Sequence, residues 1–318
     1  MWPLIALATF AAGLAFGLWW IPFQKSRGIT SRDIYKNIDN VPKAGGLIAL
    51  VSATFGYALS SLYVEKAFLI LLAALFIGVL GLVDDLRGLS EYLRVLAPLL
   101  AGFMLARSLG EVTLTIPAVG LFYGATGWLA VLAIPIMTNA FNMLDPVNGF
   151  LPAANMAIAL SLAVVAVLRG QTEALALLSI HAAASLALYF YNRHPARSFN
   201  GNVGSYFLGG SLSTIAVAYD MASYLILAAL PFVINGALII FSSGGIKGRE
   251  KIQRPTYLKE GMVHQDCSSP IISLVRVTVA ERPMSEYQIF RALATQVTIS
   301  SSLAAGFAAL LAYLKMPI

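Results

Sequence analysis

The chain has 318 residues, of which 58% are hydrophobic and 11% charged, with a mean hydropathy of +0.78 and a formal net charge of +6. A soluble domain carries roughly 25% charged residues, so the composition excludes one and indicates an integral membrane protein. The positive charge lies in gaps between apolar runs rather than in a basic stripe with interleaved aromatics, which excludes a nucleic-acid surface, and the single Cys267 excludes an internal disulfide and a cysteine zinc cage.

About 20 residues cross the hydrocarbon core of a bilayer, and the apolar runs predict ten spans. The first is Trp2 to about Ile21; it lacks a basic leader and a small-residue cleavage site and reads as a retained span. A polar stretch, Pro22 to Lys43, precedes span two at about Gly45 to Tyr63. Span three, Ala67 to Val83, runs into Asp84-Asp85-Leu86-Arg87-Gly88, and span four is about Leu93 to Leu109. The alternation Val-Thr-Leu-Thr-Ile between Glu111 and Pro117 predicts a small strand. Span five, about Leu121 to Met137, delivers an Asn-rich segment from Thr138 to Phe150 that has no Lys or Arg. Spans six to nine follow at Leu151 to Leu168, Ala174 to Tyr191, Val203 to Tyr219 and Tyr224 to Phe241. A polar insert, 242–287, separates the last two spans, and span ten is about Ile289 to Leu314.

With this count, the loops after odd-numbered spans hold 16 of the 21 basic residues. Basic loops stay cytoplasmic, so both termini are expected outside. The same sorting places every unusual polar stretch on the cytoplasmic face. Few polar residues are read in mid-span, which argues against a transporter and for one active face. The expected architecture is an all-α integral membrane protein, one polytopic domain over 1–318 with a cytoplasmic insert at 242–287.

Several groups on that face suit chemistry. Adjacent Asp84 and Asp85 repel each other and oppose the dipole of their own helix end, a placement that favours a base or a cation partner. Pro42-Lys43-Ala44-Gly45-Gly46 offers a close backbone approach beside an ammonium, suited to a phosphate. Gly201-Asn202-Val203-Gly204-Ser205 opens a helix whose free N–H groups can receive an anion. The run Lys247 to Arg254 is basic enough to clamp a nucleotide phosphate or to touch anionic lipid. His181, His194 and His264 are scattered and form no helix-spaced metal pair.

Arg32-Asp33 with Lys36, Pro42 to Gly46, Asp84-Asp85, Arg94-Val95-Leu96-Ala97-Pro98, Thr138-Asn139-Ala140-Phe141-Asn142-Met143, Asn148-Gly149-Phe150 and Phe199-Asn200-Gly201-Asn202 occur in this order. In that order the sequence resembles the polyprenyl-phosphate N-acetylhexosamine-1-phosphate transferase superfamily, the glycosyltransferase 4-like enzymes, over essentially its whole length. Arg282 to Glu286 is similar to the archaeal and eukaryotic branch that makes dolichol-linked N-acetylglucosamine. The resemblance implies a multi-pass enzyme of the cell membrane that moves a sugar 1-phosphate from a UDP-sugar to polyprenyl or dolichyl phosphate and releases UMP. It implies Mg²⁺, or Mn²⁺ in its place, and membrane lipids as surroundings, with a homodimer as the candidate assembly. By resemblance, Asn142 and Asn202 match the metal site, with Asp145 as a supporting ligand. Asp84 and Asp85 match the catalytic acidic pair, Arg94 a diphosphate contact and Asn148 a position near the uridine. Asp33, Lys36, Lys43, Gly45, Gly46, Asn139, Arg249 and Arg254 are expected to line the substrate sites. Position 202 is ordinarily Asp and position 94 ordinarily Lys in this superfamily, so the alternative is a silent or altered-substrate relative that holds lipid or nucleotide.

Overall fold

The computed structural model describes residues 1–247 and 251–318. In chain order the helices are α1 (Trp2–Ser26), α2 (Leu47–Ser60), α3 (Ala67–Arg87), α4 (Glu91–Leu109), the short α5 (Gly124–Gly127), α6 (Ala133–Met143), α7 (Phe150–Leu168), α8 (Thr172–Asn192), α9 (Gly201–Ala218), α10 (Ala222–Ala228), α11 (Leu230–Ser243), α12 (Leu274–Thr278) and α13 (Glu286–Tyr313). Among the described residues, seven helical segments are long and apolar enough to cross a membrane, and an eighth if α10 and α11 count as one bent span. This is a multi-pass membrane protein.

The all-α expectation needs amendment in three places. β1 (Thr30–Asp33) and β2 (Ile38–Pro42) form a hairpin after α1, and β3 (Leu114–Ile116) pairs with β4 (Gly120–Phe122). The insert folds as an antiparallel sheet of β5 (Thr256–Lys259), β6 (Met262–Gln265) and β7 (Met284–Ser285). The predicted span nine is broken: α10 and α11 meet at 77°. Pro231 lies in the first turn of α11, where its missing N–H is harmless but where it cannot continue a preceding helix. Span five is also irregular, with a 3₁₀ stretch at Trp128–Leu132 before α6.

Two ends of the bundle are well separated. At one end, Lys66 Nζ donates to the Ala218 carbonyl at 2.8 Å, Thr115 N–H donates to Asp220 Oδ1 at 2.7 Å, and Ala118 N–H reaches the Pro317 carbonyl. At the other end lie the β1–β2 hairpin, the C-termini of α3, α6 and α8, and the N-terminus of α9. Gln24 Oε1 there accepts from Ala44 N–H at 2.8 Å, and Phe199 N–H donates to the Pro42 carbonyl at 2.8 Å.

α9 is the axle. Every residue from Val203 to Ala218 is buried, and α3 and α6 pack along it. A helix enclosed by protein does not face lipid, so it tolerates the Gly, Ser and Thr that keep α9 outside the hydropathy-defined spans. Its first turn packs backbone on backbone. A Cβ placed on Gly46 would stand 2.1 Å from Gly204 Cα, and one on Gly81 would stand 2.5 Å from the Asn202 carbonyl oxygen.

The middle of the bundle is more polar than the sequence reading held. Tyr57 Oη lies 3.2 Å from His181 Nδ1 and 3.0 Å from Ser211 Oγ. His181 Nε2 lies 2.7 Å from Asn155 Oδ1, which also accepts from Ser185 Oγ. All five side chains are buried and mutually bonded, so each sits in mid-helix without an unmet partner, and linear inspection misses them because they come from four helices. Such a closed network ties helices together and is no solute path.

Gly46→Ala is expected to destabilise the protein by about 1–3 kcal/mol or to prevent folding, since backbone cannot give way to a new methyl. Gly306→Ala, on the exposed face of α13 with nothing within 4 Å of the added carbon, should be neutral to stabilising. Melting temperatures in detergent compare the two.

Candidate active site

The site is built on the meeting of α3 and α9. Asp85 reaches across to the start of α9 and takes two of its otherwise unbonded N–H groups: Oδ1 accepts from Asn202 N–H at 2.8 Å and Oδ2 from Val203 N–H at 2.9 Å. Gly201 has φ +68°, and a Cβ there would lie 2.6 Å from Asp85 Oδ2, so only glycine admits the carboxylate. Lys43 Nζ donates to the Asp85 carbonyl oxygen at 3.1 Å. Asp84 carries four donors. Oδ1 accepts from Leu89 N–H at 2.7 Å and from Arg94 Nη2 at 3.0 Å, and Oδ2 accepts from Asn202 Nδ2 at 3.0 Å and Tyr206 Oη at 3.1 Å.

Asn142 joins this group through Ser205, whose hydroxyl donates to Asn142 Oδ1 at 3.0 Å and lies 3.3 Å from the Asn202 carbonyl. Asp84, Asp85, Arg94, Asn142, Asn202 and Lys43 therefore share one end of one helix. Asn139, one turn earlier on α6, directs its amide to the Pro135 and Arg94 carbonyls and so pins α6 to α4. The amides of Gly45 and Gly46 donate to the Phe199 and Asn200 carbonyls, both at 2.8 Å. The close approach read for this glycine pair is to the protein's own chain, and neither N–H is left for a phosphate.

A cleft of about 170 Å³ adjoins the acidic pair, lined in part by Asp33, Tyr35, Asp145, Asn148, Asn200 and Gly201. Asp145 accepts from Asn200 Nδ2 with both oxygens, at 3.1 and 2.9 Å. That pairing fixes the amide, and among the described residues the buried Asn200 Oδ1 has no hydrogen-bond partner. Asp33 Oδ2 accepts from Lys36 Nζ at 2.9 Å and Asn148 Nδ2 at 3.0 Å. Burial would raise the Asp33 carboxyl, but the Lys36 ammonium and the Asn148 amide outweigh it and hold it below the usual range. Burial, and then the charges of Glu286 and Asp33, push the Tyr35 phenol up to about 12, so it stays a neutral donor, here to the Pro146 carbonyl.

Glu286 is a residue that sequence reasoning left without a role. Its buried carboxylate accepts from Asn148 N–H at 3.1 Å, Lys36 Nζ at 2.5 Å and His194 Nδ1 at 3.1 Å. The signal that exposes it is the capping box of Ser285 and Gln288, which starts α13 at Glu286 and points its first turn at the cleft. Tyr206, one helical turn behind Asn202 on an apolar-looking helix, carries no sequence signal, and Ser205 is read only as part of the Gly201 to Ser205 helix opening. Arg254 is exposed just before β5, and no hydrogen bond or ion pair among the described residues links it to the acidic pair. Arg249 lies outside the described residues. Lys251 Nζ reaches Glu91 Oε1 at 3.4 Å and holds the insert near the start of α4.

No group of three His, Cys, Asp or Glu side chains able to hold a metal occurs among the described residues. The donors that converge are two adjacent carboxylates and amide oxygens. That set does not make a stand-alone metal cage, but it fits a hard cation that arrives with phosphate oxygens.

Residues 67–220 match the model of glycosyl transferase family 4. A candidate UDP-N-acetylglucosamine–dolichyl-phosphate N-acetylglucosaminephosphotransferase of Sulfolobus acidocaldarius is 31% identical over 304 residues, covering 90% of each chain. The chain belongs to glycosyl transferase family 4. A candidate undecaprenyl-phosphate N-acetylglucosaminyl 1-phosphate transferase of Bacillus subtilis is 29% identical, with 71% of this chain and 64% of the relative covered. A phospho-N-acetylmuramoyl-pentapeptide-transferase of Heliobacterium modesticaldum is 26% identical over 68% of this chain and 74% of its own. The family match spans α3 to α9, the helices that carry the acidic pair, Arg94, Asn142 and Asn202.

Asp85→Ala should lower stability by about 1–2 kcal/mol, the loss expected for a helix cap, read as a melting shift. Asp33 has a depressed pKa, so its contribution is present above the ordinary carboxyl value of 3.8 and is lost as pH falls through the depressed one. Asp33→Asn should therefore melt lower than wild type near neutral pH and converge with it in strong acid.

Proposed function

We propose that this family 4 member transfers an N-acetylhexosamine 1-phosphate, N-acetylglucosamine 1-phosphate in the preferred reading, from a UDP-sugar to a polyprenyl or dolichyl phosphate. UMP leaves, and the reaction is the first step of a lipid-linked glycan. The single observation that carries this reading is the gathering of Asp84, Asp85, Arg94, Asn142 and Asn202 at the N-terminus of α9, beside a cleft with an unmet acceptor. The names of the relatives favour the same substrates. The bias of basic loops favours a cytoplasmic site in the cell membrane with both termini outside, and ten crossings if α2, α9 and the bent α10–α11 pair each count as one.

In this reading the acceptor phosphate oxygen attacks the β-phosphorus of the donor, forming the new P–O bond as the bond to the UMP oxygen breaks. The cleft takes the uridine. Asn200 Oδ1 is an acceptor for a base N–H, and Asn148 is held in place by Asp33 and Glu286. Arg94, tethered to Asp84, sets its positive charge beside the diphosphate. Asp84 or Asp85 acts as the base that takes the proton of the acceptor phosphate and leaves it ionised for attack. Mg²⁺, or Mn²⁺ in its place, would supply charge neutralisation at the diphosphate when held by Asp84 or Asp85, Asn142, Asn202 and Asp145 together with the substrate.

One observation favours the second reading, a silent relative that only holds nucleotide or lipid: Asn202 donates to Asp84, so the acidic pair is stabilised without any cation.

UMP release from UDP-N-acetylglucosamine with dolichyl phosphate, measured in membranes, is expected for wild type and for the exposed Cys267→Ser. Asp85→Asn should lower it by about 100-fold or more; unchanged turnover in that variant would overturn the assignment. If wild type releases no UMP and Asn202→Asp does, the silent reading stands.

A further inference from the structure

A second cavity, of about 520 Å³, lies between the end of α8 and the start of α13, and nothing above uses it. Its walls include Tyr189, Phe190, Arg193, Arg197, Tyr287 and Phe290. Both helices cross the membrane, so their ends at the active-site side set this cavity at the level where lipid headgroups meet water.

The two arginines are held but not neutralised. Arg193 Cζ stands 5.1 Å above the Phe190 ring and Arg197 Cζ 4.9 Å above the Tyr191 ring. Neither guanidinium has an ion pair or side-chain hydrogen bond among the described residues, in contrast to Arg94. Stacking fixes a guanidinium plane while leaving its N–H edge free, the arrangement that takes phosphate oxygens bidentately. Phe190 and Tyr287, both exposed, give the cavity an apolar rim beside the two arginines. A phosphate between the arginines and an apolar group against these rings describe one amphipathic molecule.

We propose that this cavity binds the phosphodiester headgroup of an anionic membrane phospholipid, with Arg193 and Arg197 on the phosphate and the acyl portion leaving past Phe190 and Tyr287. The occupant touches the transferase cleft indirectly. Asn148 lines both cavities, and Glu286, which holds the Asn148 N–H, also binds His194 at the cavity wall. The lipid assignment does not depend on the transferase reading, because it concerns binding alone.

The test measures binding of phosphatidylglycerol, against phosphatidylcholine, by native mass spectrometry of the full chain released from detergent. Wild type should retain phosphatidylglycerol in preference. The Arg193→Gln/Arg197→Gln double variant should weaken that binding by about thirtyfold, the product of two basic contacts at an anionic surface. Lys25→Gln/Arg27→Gln, at the same end of the bundle, should leave it unchanged. Equal loss in both double variants would mean diffuse charge attraction and overturn the proposal. So would displacement of the lipid by millimolar inorganic phosphate, which would mark a site for soluble phosphate, or a dimer mass lost only in the arginine variant, which would mark a second copy as the occupant. If the double variant does not fold, Arg193→Lys serves in its place. It keeps the charge but not the fork, and retention undiminished from wild type would equally overturn the proposal.

Discussion

Two carboxylates at the C-terminal end of α3 meet the N-terminal end of α9, and the rest of the site depends on that contact. On their own helix, Asp84 and Asp85 lie where the macrodipole is negative, an unfavourable place for an anion. The start of α9 supplies what α3 cannot. Its free N–H groups at residues 202 and 203 bind Asp85 directly, and the favourable pole of its dipole faces both acids. An Asp-Asp pair at a helix C-terminus is therefore no solvated helix end. It is the cap of a different helix, and it fixes the distance between the two.

That distance can be short only because side chains are absent where the backbones meet. Gly46 against Gly204, Gly81 against Asn202 and Gly201 against Asp85 leave no room for a Cβ. The amides of residues 45 and 46 and the carbonyls of 199 and 200 then join as a short ladder. Full burial of α9 below this point removes its freedom to shift. The consequence is a set of polar side chains mounted on rigid helix ends rather than on mobile loops, which is what in-line phosphoryl transfer requires of its surroundings.

Much of this was legible in the sequence, for reasons that can be assigned. Runs of apolar residues are read one helix at a time, so α1, α3, α4, α7 and α8 lie close to the spans read for them, and alternation at 111–117 marked β3. Span five was misplaced: its first residues form β4, and the helix continues through Asn139 and Asn142 to Met143, where a polar segment had been read. The sorting of polar stretches to one face needed only the parity of the spans. What linear reading could not supply were relations between distant segments. The glycines of 45–46 suggested a close approach but not to what. Asn155, His181 and Tyr57 look like isolated polar residues until three helices place them together. Glu286 falls within the insert when read linearly, yet it is drawn under Asn148 by the helix cap that precedes α13. The break before Leu230 depends on Pro231, which is compatible equally with a kink or with a new start.

The two positions that differ from the superfamily's usual residues turn out to touch the same carboxylate. Asn202 Nδ2 holds one oxygen of Asp84 and Arg94 holds the other. An aspartate at 202 would place a third negative charge against Asp84 and Asp85, and the three would repel unless a cation lay among them. With Asn, that repulsion becomes a hydrogen bond. With Arg at 94, a planar fork that retains its charge grips Asp84 through Nη2. The exchanges are thus complementary: each lowers the demand for a permanently bound cation at the acidic pair. In the proposed reading a cation would arrive with the diphosphate, because each carboxylate oxygen of Asp84 and Asp85 already accepts a hydrogen bond.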